Sequence, residues 1–182
     1  FLCLLNYFHY FWKIIAKKLG NVKNMLYLCT RFKINMKNIH INNDDNYATP
    51  PELYNELNAE FNFDFDPCPY NEGEIINDGL KIDWGKSNFV NPPYSQKLKE
   101  QFIIKGIEEM KKGNTSVFLI PVSTSTKLFH DYIKPNASEI RFLKGRIKFG
   151  KINEKGEFYL PLNKNGKTQS GTKDSMIVIF KK

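Results

Sequence analysis

The stretch from residue 88 to residue 120 constrains the fold more than any other part of the chain. Residues 88–90, Asn-Phe-Val, read as a short apolar strand that is stopped by Pro92-Pro93, because proline fixes its own φ and has no N–H for a ladder. A helical period follows over residues 95–112, with Leu98, Phe102, Ile103, Ile107 and Met110 on one face. Lys111, Lys112 and Gly113 suit its C-terminus, where cations meet the dipole and glycine can turn the chain. Residues 116–120, Ser-Val-Phe-Leu-Ile, then read as a buried strand.

The flanks extend this alternation. Thr49-Pro50-Pro51-Glu52 carries the marks of a helix start, with Thr49 as N-cap and Leu53 and Leu57 on one face. Phe61, Phe63 and Phe65 alternate with Asn62, Asp64 and Asp66, which predicts a strand ended by Pro67 and Pro69. Downstream, a short helix is expected over residues 124–133, ended by Pro135. Residues 140–143 and 146–149 are expected to form a hairpin around Lys144-Gly145. Residues 151–174 are polar and rich in Gly, Asn and Lys, so a mobile loop is expected there, with a strand at 158–160 inside it. Residues 176–180 close the domain as a strand. The expected class is α/β, with a mainly parallel sheet and an antiparallel C-terminal edge.

A chain of 182 residues, 41% hydrophobic, can build one core but hardly two. Its net charge of +8 is unevenly spread: residues 1–35 hold six of the 27 basic residues and no acid, which leaves 21 basic against 19 acidic residues in the rest. Overall charge therefore says little about nucleic acid, and local clusters must carry that argument. Residues 1–12 are apolar and aromatic with lysines after them, the reverse of a signal peptide, and the run is too short for a membrane span. Residues 1–35 are expected to be a dispensable extension, with Met25 and Met36 as internal starts, and residues 36–182 to be the domain. Cys3, Cys29 and Cys68 lack disulfide or metal spacing, and His9, His40 and His130 are isolated. The expectation is a reduced, cytoplasmic protein without metal or membrane anchor, most simply a monomer.

The most informative motif is Asn91-Pro92-Pro93-Tyr94, placed directly after an apolar strand. The amino group of an aromatic ring is a poor nucleophile, because its lone pair is delocalised. Two acceptors set against its N–H groups draw it toward a tetrahedral geometry and stabilise the positive charge that develops on transfer. The side-chain oxygen of Asn91 and the main-chain carbonyl of Pro92 are such a pair, and consecutive prolines hold that carbonyl without bringing a competing donor. Tyr94 offers a flat face for a ring, and base stacking is worth on the order of 1–3 kcal/mol. A strand-ending turn with a packed tyrosine is the plainer alternative.

Three further features are weaker alone. Asp66, in Asp66-Pro67-Cys68-Pro69 at a strand end, can accept from an amino group or be an exposed acid at a turn. Asp78, before Gly79-Leu80, can accept from the amino group of an adenine ring or close a β-turn. The Thr49 hydroxyl, beside Pro50 at a helix N-terminus, can bind a carboxylate or simply cap the helix. Arg141, Lys144, Arg146, Lys148 and Lys151 form a basic run with no acid between them, followed by Lys164, Lys167 and Lys173. That run is either a solvated face or a phosphate-contacting surface.

In this order the pieces resemble the Dam-type DNA N6-adenine methylases carried by bacteriophages and prophages. The resemblance runs from Tyr47 to Phe180. It takes in Ala48-Thr49-Pro50, Leu57 to Phe61, Asp66 with Cys68, Asp78-Gly79-Leu80 with Trp84, and Val90-Asn91-Pro92-Pro93-Tyr94. It continues through Leu119-Ile120-Pro121, Phe129-His130, the run from Ile140 to Phe149, and Ser175-Met176. It implies a compact Rossmann-like methyltransferase that uses S-adenosyl-L-methionine on adenine in double-stranded DNA. Asn91, Pro92, Pro93 and Tyr94 would be catalytic. Thr49, Pro50, Asp66, Pro67, Cys68 and Asp78 would bind the cofactor, and Arg141, Lys144, Arg146 and Lys148 the DNA. Three departures stand out: the glycine-rich first motif of methyltransferases is reduced to Asp-Pro-Cys-Pro, the 151–174 loop is long, and residues 1–46 have no counterpart. The alternatives are a methyltransferase acting on a protein glutamine or an RNA base, and a DNA-binding module without catalysis.

Overall fold

A computed structural model describes residues 47–70, 79–163, 165–168 and 171–182. The expected 1–35 extension, Asp78 and Lys164 lie outside the described residues. At the centre are two strands with every side chain inside. β2, Thr115–Pro121, is buried from Ser116 onward, and the last strand, Ser175–Phe180, is buried throughout. Such a strand must satisfy its ladder on both edges and cover both faces. The edges are filled in the order β1 (Ser87–Val90), β2, β6 (Ser175–Phe180), β3 (Glu139–Phe142). A separate two-stranded ribbon pairs β4, Lys151–Ile152, with β5, Phe158–Tyr159.

The period-2 alternation of the central strands sorts the core into two halves. Phe118, Ile120, Met176, Val178 and Phe180 join Val90 and Trp84 on one face. Helix α2, Gln96–Lys111, covers that face with Phe102, Ile103 and Ile107. It approaches closely because Gly106 has no side chain: a Cβ there would lie 2.6 Å from Cζ of Phe118. A π-helical segment, Leu128–Ile133, running into one α turn, Lys134–Asn136, adds Ile133 to the same side. On the other face Val117, Leu119, Ile177, Ile179 and Phe89 meet Leu57 of helix α1, Pro51–Phe61, together with Leu143, Ile147 and Phe149.

Several expectations are corrected. Among the described residues only β1 and β2 pair as parallel strands, extended by a parallel bridge from Phe65 to Asn88, whereas β6 runs antiparallel to both neighbours. The sheet is therefore mostly antiparallel, not mainly parallel. The reason lies in the connections: α2 carries the chain from β1 back to a parallel β2, whereas between β3 and β6 the described residues hold only loops and a ribbon. The strand expected at 61–65 shrinks to that one bridge. The helix keeps Phe61, Asn62 turns left-handed at φ 49°, and Asn58 Oδ1 accepts from Phe63 N at 2.8 Å. The hairpin expected at 140–149 does not form: β3 pairs with β6, while the return segment turns to other partners, Ile147 O accepting from Gly171 N at 2.8 Å and Gly150 bridging to Ala48. Alternation survives there without pairing, with Ile147 and Phe149 half-buried and Arg146 and Lys148 exposed. Pro135 lies within the last α turn and does not end the preceding segment. The ribbon β4–β5 and a bridge between Leu162 and Thr168 give structure to the expected mobile loop.

Glu109 anchors the end of α2. Its side chain is 1% exposed and accepts from Lys112 Nζ at 2.8 Å, Lys105 Nζ at 3.0 Å and Asn114 Nδ2 at 2.9 Å. Burial opposes its ionisation, but the hydrogen bonds from Lys112, Lys105 and Asn114 outweigh that and hold the carboxyl below its ordinary value of 4.5. Because the folded value is depressed, the contribution to stability is complete above the unfolded value and lost as pH falls through the folded one. Glu109→Ala is expected to lower stability at pH 7 by about 2 kcal/mol, with the difference from wild type shrinking in acid. Urea denaturation at both pH values measures this, and an equal loss at both would show that the carboxylate's charge is irrelevant.

Candidate active site

β1 is buried to its last residue, Val90, and Asn91 is the first half-buried residue beyond it. Parallel to β1, the bridge at Phe65 leads into Asp66-Pro67-Cys68, so both segments leave the sheet in the same direction. Backbone bonds from Phe65 N to Ser87 O at 3.3 Å and from Phe89 N to Phe65 O at 3.1 Å fix their relation. The carboxyl ends of adjacent parallel strands are where open α/β sheets place ligands. Trp84, buried, donates from Nε1 to Gly79 O at 2.7 Å. Gly79 packs against Pro67, where a Cβ on the glycine would sit 2.7 Å from the proline Cβ. The tail of the Asp78-Gly79-Leu80 motif is thereby pressed onto the Asp66-Pro67 segment, although the two are far apart in the motif pattern.

The carboxamide of Asn91 is oriented by its nitrogen. Nδ2 donates to Tyr47 O and to Thr49 Oγ1, both at 3.2 Å. No described residue donates to Asn91 Oδ1 or to the carbonyl of Pro92, so two acceptors on consecutive residues lack a described donor. Pro92 is buried and Pro93 half-buried. The Tyr94 ring meets Phe149 edge to face, with centroids 5.9 Å apart. Its hydroxyl is buried without a partner among the described residues, and burial pushes the phenol's pKa up. Phe149 also packs on Tyr47 at 6.3 Å. Tyr47 and Phe149 are members of the site that motif reading passed over. In sequence they lie at the ends of matched segments with aromatic character alone to mark them, and that does not separate a site from a core.

Thr49 does not cap the helix as expected. The N-cap is Pro50, and no side chain bonds there. The Thr49 hydroxyl oxygen instead takes the Asn91 amide. Asp66 Oδ1 accepts from Cys68 N at 2.8 Å, and no described cation is paired with this carboxylate. Burial therefore raises its pKa to about 6, against the lowering from the Cys68 N–H. The Cys68 thiol is pushed up by burial and by the neighbouring Asp66. Among the described residues no cluster of His, Cys, Asp or Glu could hold a metal, and no helix is long and apolar enough to cross a membrane.

The basic run is less uniform than its sequence. Arg141 is engaged: its guanidinium bonds both oxygens of Glu60 at 2.6 Å and both of Glu139 at 2.7 and 2.9 Å, and stacks over Phe61 at 5.6 Å. Arg146 stands 3.7 Å from Asp174, with both side chains largely exposed. Lys144 and Lys148 are exposed with no ion-pair partner among the described residues.

The sequence matches the family described as DNA N-6-adenine-methyltransferase (Dam) over residues 36–182. No curated protein and no solved structure matches it.

Asp66 yields a prediction independent of any ligand. Its folded pKa lies above the unfolded value, so ionisation costs stability as pH rises from about 4 to about 6. Asp66→Asn keeps an acceptor for Cys68 N and removes the charge. It is expected to raise stability at pH 7 by roughly 2 kcal/mol and to leave it unchanged below pH 4. Denaturation midpoints across that range test this, and a variant less stable at pH 7 would contradict it.

Proposed function

The chain belongs to the DNA N-6-adenine-methyltransferase (Dam) family, and on that premise we propose that it moves the methyl group of S-adenosyl-L-methionine to N6 of adenine in double-stranded DNA, with residues 36–182 as the acting domain. The observation that carries this reading is a pair of acceptors without a described donor, Asn91 Oδ1 and Pro92 O, at the end of a parallel strand. They suit an amino group with two N–H donors and a lone pair that must be released from its ring.

The site's chemistry fits the cofactor. Asp66 is a buried carboxylate without a counter-cation among the described residues, which suits the ammonium of a methionine moiety. Pro67 and Cys68 shape the turn that aims it. The Thr49 hydroxyl, having accepted from Asn91, keeps its own hydrogen to donate to a carboxylate next to Pro50. Asp78 is proposed for the cofactor's adenine, by its place before Gly79. S-adenosyl-L-methionine, when bound, supplies an electrophilic methyl on a sulfonium.

The chain's own residues do the rest. An adenine turned out of the duplex gives N6 the access it lacks in the stack. Tyr94 would stack on it, Pro93 would hold the motif's backbone, and Asn91 and the Pro92 carbonyl would accept from N6 as its lone pair attacks the methyl carbon in line; the carbon–sulfur bond breaks to leave a neutral thioether, and N6 then gives its surplus proton to water. Holding the reactants together supplies much of the rate. Lys144, Arg146 and Lys148 are proposed to meet DNA phosphates. Arg141 drops from that set, because Glu60 and Glu139 occupy its donors.

The deciding experiment is transfer of labelled methyl from S-adenosyl-L-methionine, offered DNA, RNA and protein in parallel, with nucleoside analysis for N6-methyladenine. Label in RNA or protein alone, or binding of DNA without transfer, would each overturn the reading. Asn91→Ala is expected to lower transfer at least about a hundredfold with cofactor affinity kept, and Tyr94→Ala to do likewise. Cofactor affinity should rise with pH through about 6, because an ammonium binds ionised Asp66, and calorimetry would show proton release on binding at pH 5. In a salt titration of DNA affinity, Arg146→Ala with Lys148→Ala should reduce the slope by about 2. Arg141→Ala should leave the slope unchanged, and an unaltered slope in the double variant would return those residues to an ordinary solvated face.

A further inference from the structure

We infer that Thr49, acting with the main-chain carbonyl of Tyr47, is the positioning residue that points the Asn91 carboxamide oxygen at the substrate amine. The inference rests on the reading of Asn91 as an acceptor for N6, and adds the device that makes it one.

The two ends of a carboxamide have nearly the same shape, and a half-turn about χ2 exchanges them. For catalysis the exchange is costly, because an Asn91 turned the other way would present N–H donors to an amino group whose own hydrogens need acceptors. Something must choose the orientation, and the neighbours of Nδ2 do. A main-chain carbonyl has no hydrogen, so Tyr47 O can face only the nitrogen end, and it lies 3.2 Å from it. Thr49 Oγ1, also at 3.2 Å, takes the second amide hydrogen. Both N–H groups are then used, and Oδ1 is the end left open. A flipped carboxamide would set oxygen against the Tyr47 carbonyl.

The two holders are themselves fixed. Ala48 between them is 2% exposed and exchanges two backbone bonds with Gly150, at 2.9 and 3.0 Å. Tyr47 packs on Phe149 on one side, and Pro50 opens α1 on the other, accepting from Tyr54 N at 3.1 Å. Residues 47–49 are thus a rigid brace laid across the motif. Capping does not explain the hydroxyl at position 49, since no side chain caps the helix there. Contact with the Asn91 amide does explain it.

At 3.2 Å each bond is at the long end of the normal range. Loss of one should therefore misdirect Asn91 part of the time without removing it. In single-turnover reactions at saturating DNA and cofactor, Thr49→Val is expected to lower the transfer rate by about three- to tenfold. Saturation removes any effect on cofactor affinity, and Thr49→Ser, which restores the hydroxyl, should recover the rate. Thr49→Ala repeats the loss should the valine branch disturb folding. A second readout needs no activity: the side-chain amide resonances of Asn91, identified by their absence in Asn91→Ser. One amide proton should move upfield in Thr49→Val and stay in place in Thr49→Ser. An unchanged rate in both Thr49→Val and Thr49→Ala, or unmoved amide resonances, would overturn the inference. A wild-type protein that transfers no methyl to DNA would instead sink the functional reading, and the resonances would still decide whether Thr49 holds Asn91.

Discussion

The described residues are arranged around two strands that have no exposed face. β2 and β6 bury their side chains on both sides of the sheet, so each backbone group along them needs a partner and each face needs a cover. Pairing β2 to β1 on one edge and to β6 on the other meets the first demand. α2 on one face, and α1 with residues 143–149 on the other, meet the second. The site follows as a consequence. β1 is held in parallel register as far as Val90 opposite Phe118, and the chain escapes the sheet at the next residue, which is Asn91. Two prolines then forbid any continuation of the ladder. The strand end therefore delivers a carbonyl and a carboxamide that the sheet cannot use.

Charge shows the same dependence on tertiary contact. A carboxylate with one hydrogen bond and no cation among the described residues, as at Asp66, is a liability for the folded chain, because burial penalises its charge and raises its pKa. Glu109 is the converse case: its side chain is fully buried, yet it is matched by three donors and held ionised. The contrast separates a carboxylate held by three donors at a helix end from one with a single N–H and no described cation. The same test sorts the cations. Arg141, first in a run of basic residues, closes a bridge between α1 and β3 through Glu60 and Glu139, whereas Lys144 and Lys148 have no acid among the described residues. A basic run with no acid in the sequence between its members can still face acids brought in from elsewhere in the fold.

The brace at residues 47–49 joins these themes. Its backbone is tied to Gly150 and its side chains reach Phe149 and Asn91. Phe149 in turn touches Tyr94 and follows directly on the basic segment. The residues proposed to meet DNA and those proposed to hold the reacting base thus share neighbours, although they come from three separate stretches of sequence.

What the sequence determined by itself was local and periodic. The amphipathic period marked α2, continuous apolar runs marked β2 and β6, and the prolines after Val90 marked where β1 must end, because these signals lie within a few consecutive residues. It also carried the resemblance that the family match supports. Strand direction, the fate of the phenylalanine alternation at 61–65, and the pairing of 140–149 were decided only in three dimensions. A buried apolar run looks the same whichever way its neighbour runs, and Phe61 fits a helix as well as a strand until Asn62 turns the chain. Tertiary structure alone also moved Thr49 from helix cap to partner of Asn91, 42 residues away in sequence. A hydroxyl bonds whatever acceptor or donor the fold brings within about 3 Å, and no spacing along the chain reports which one that will be.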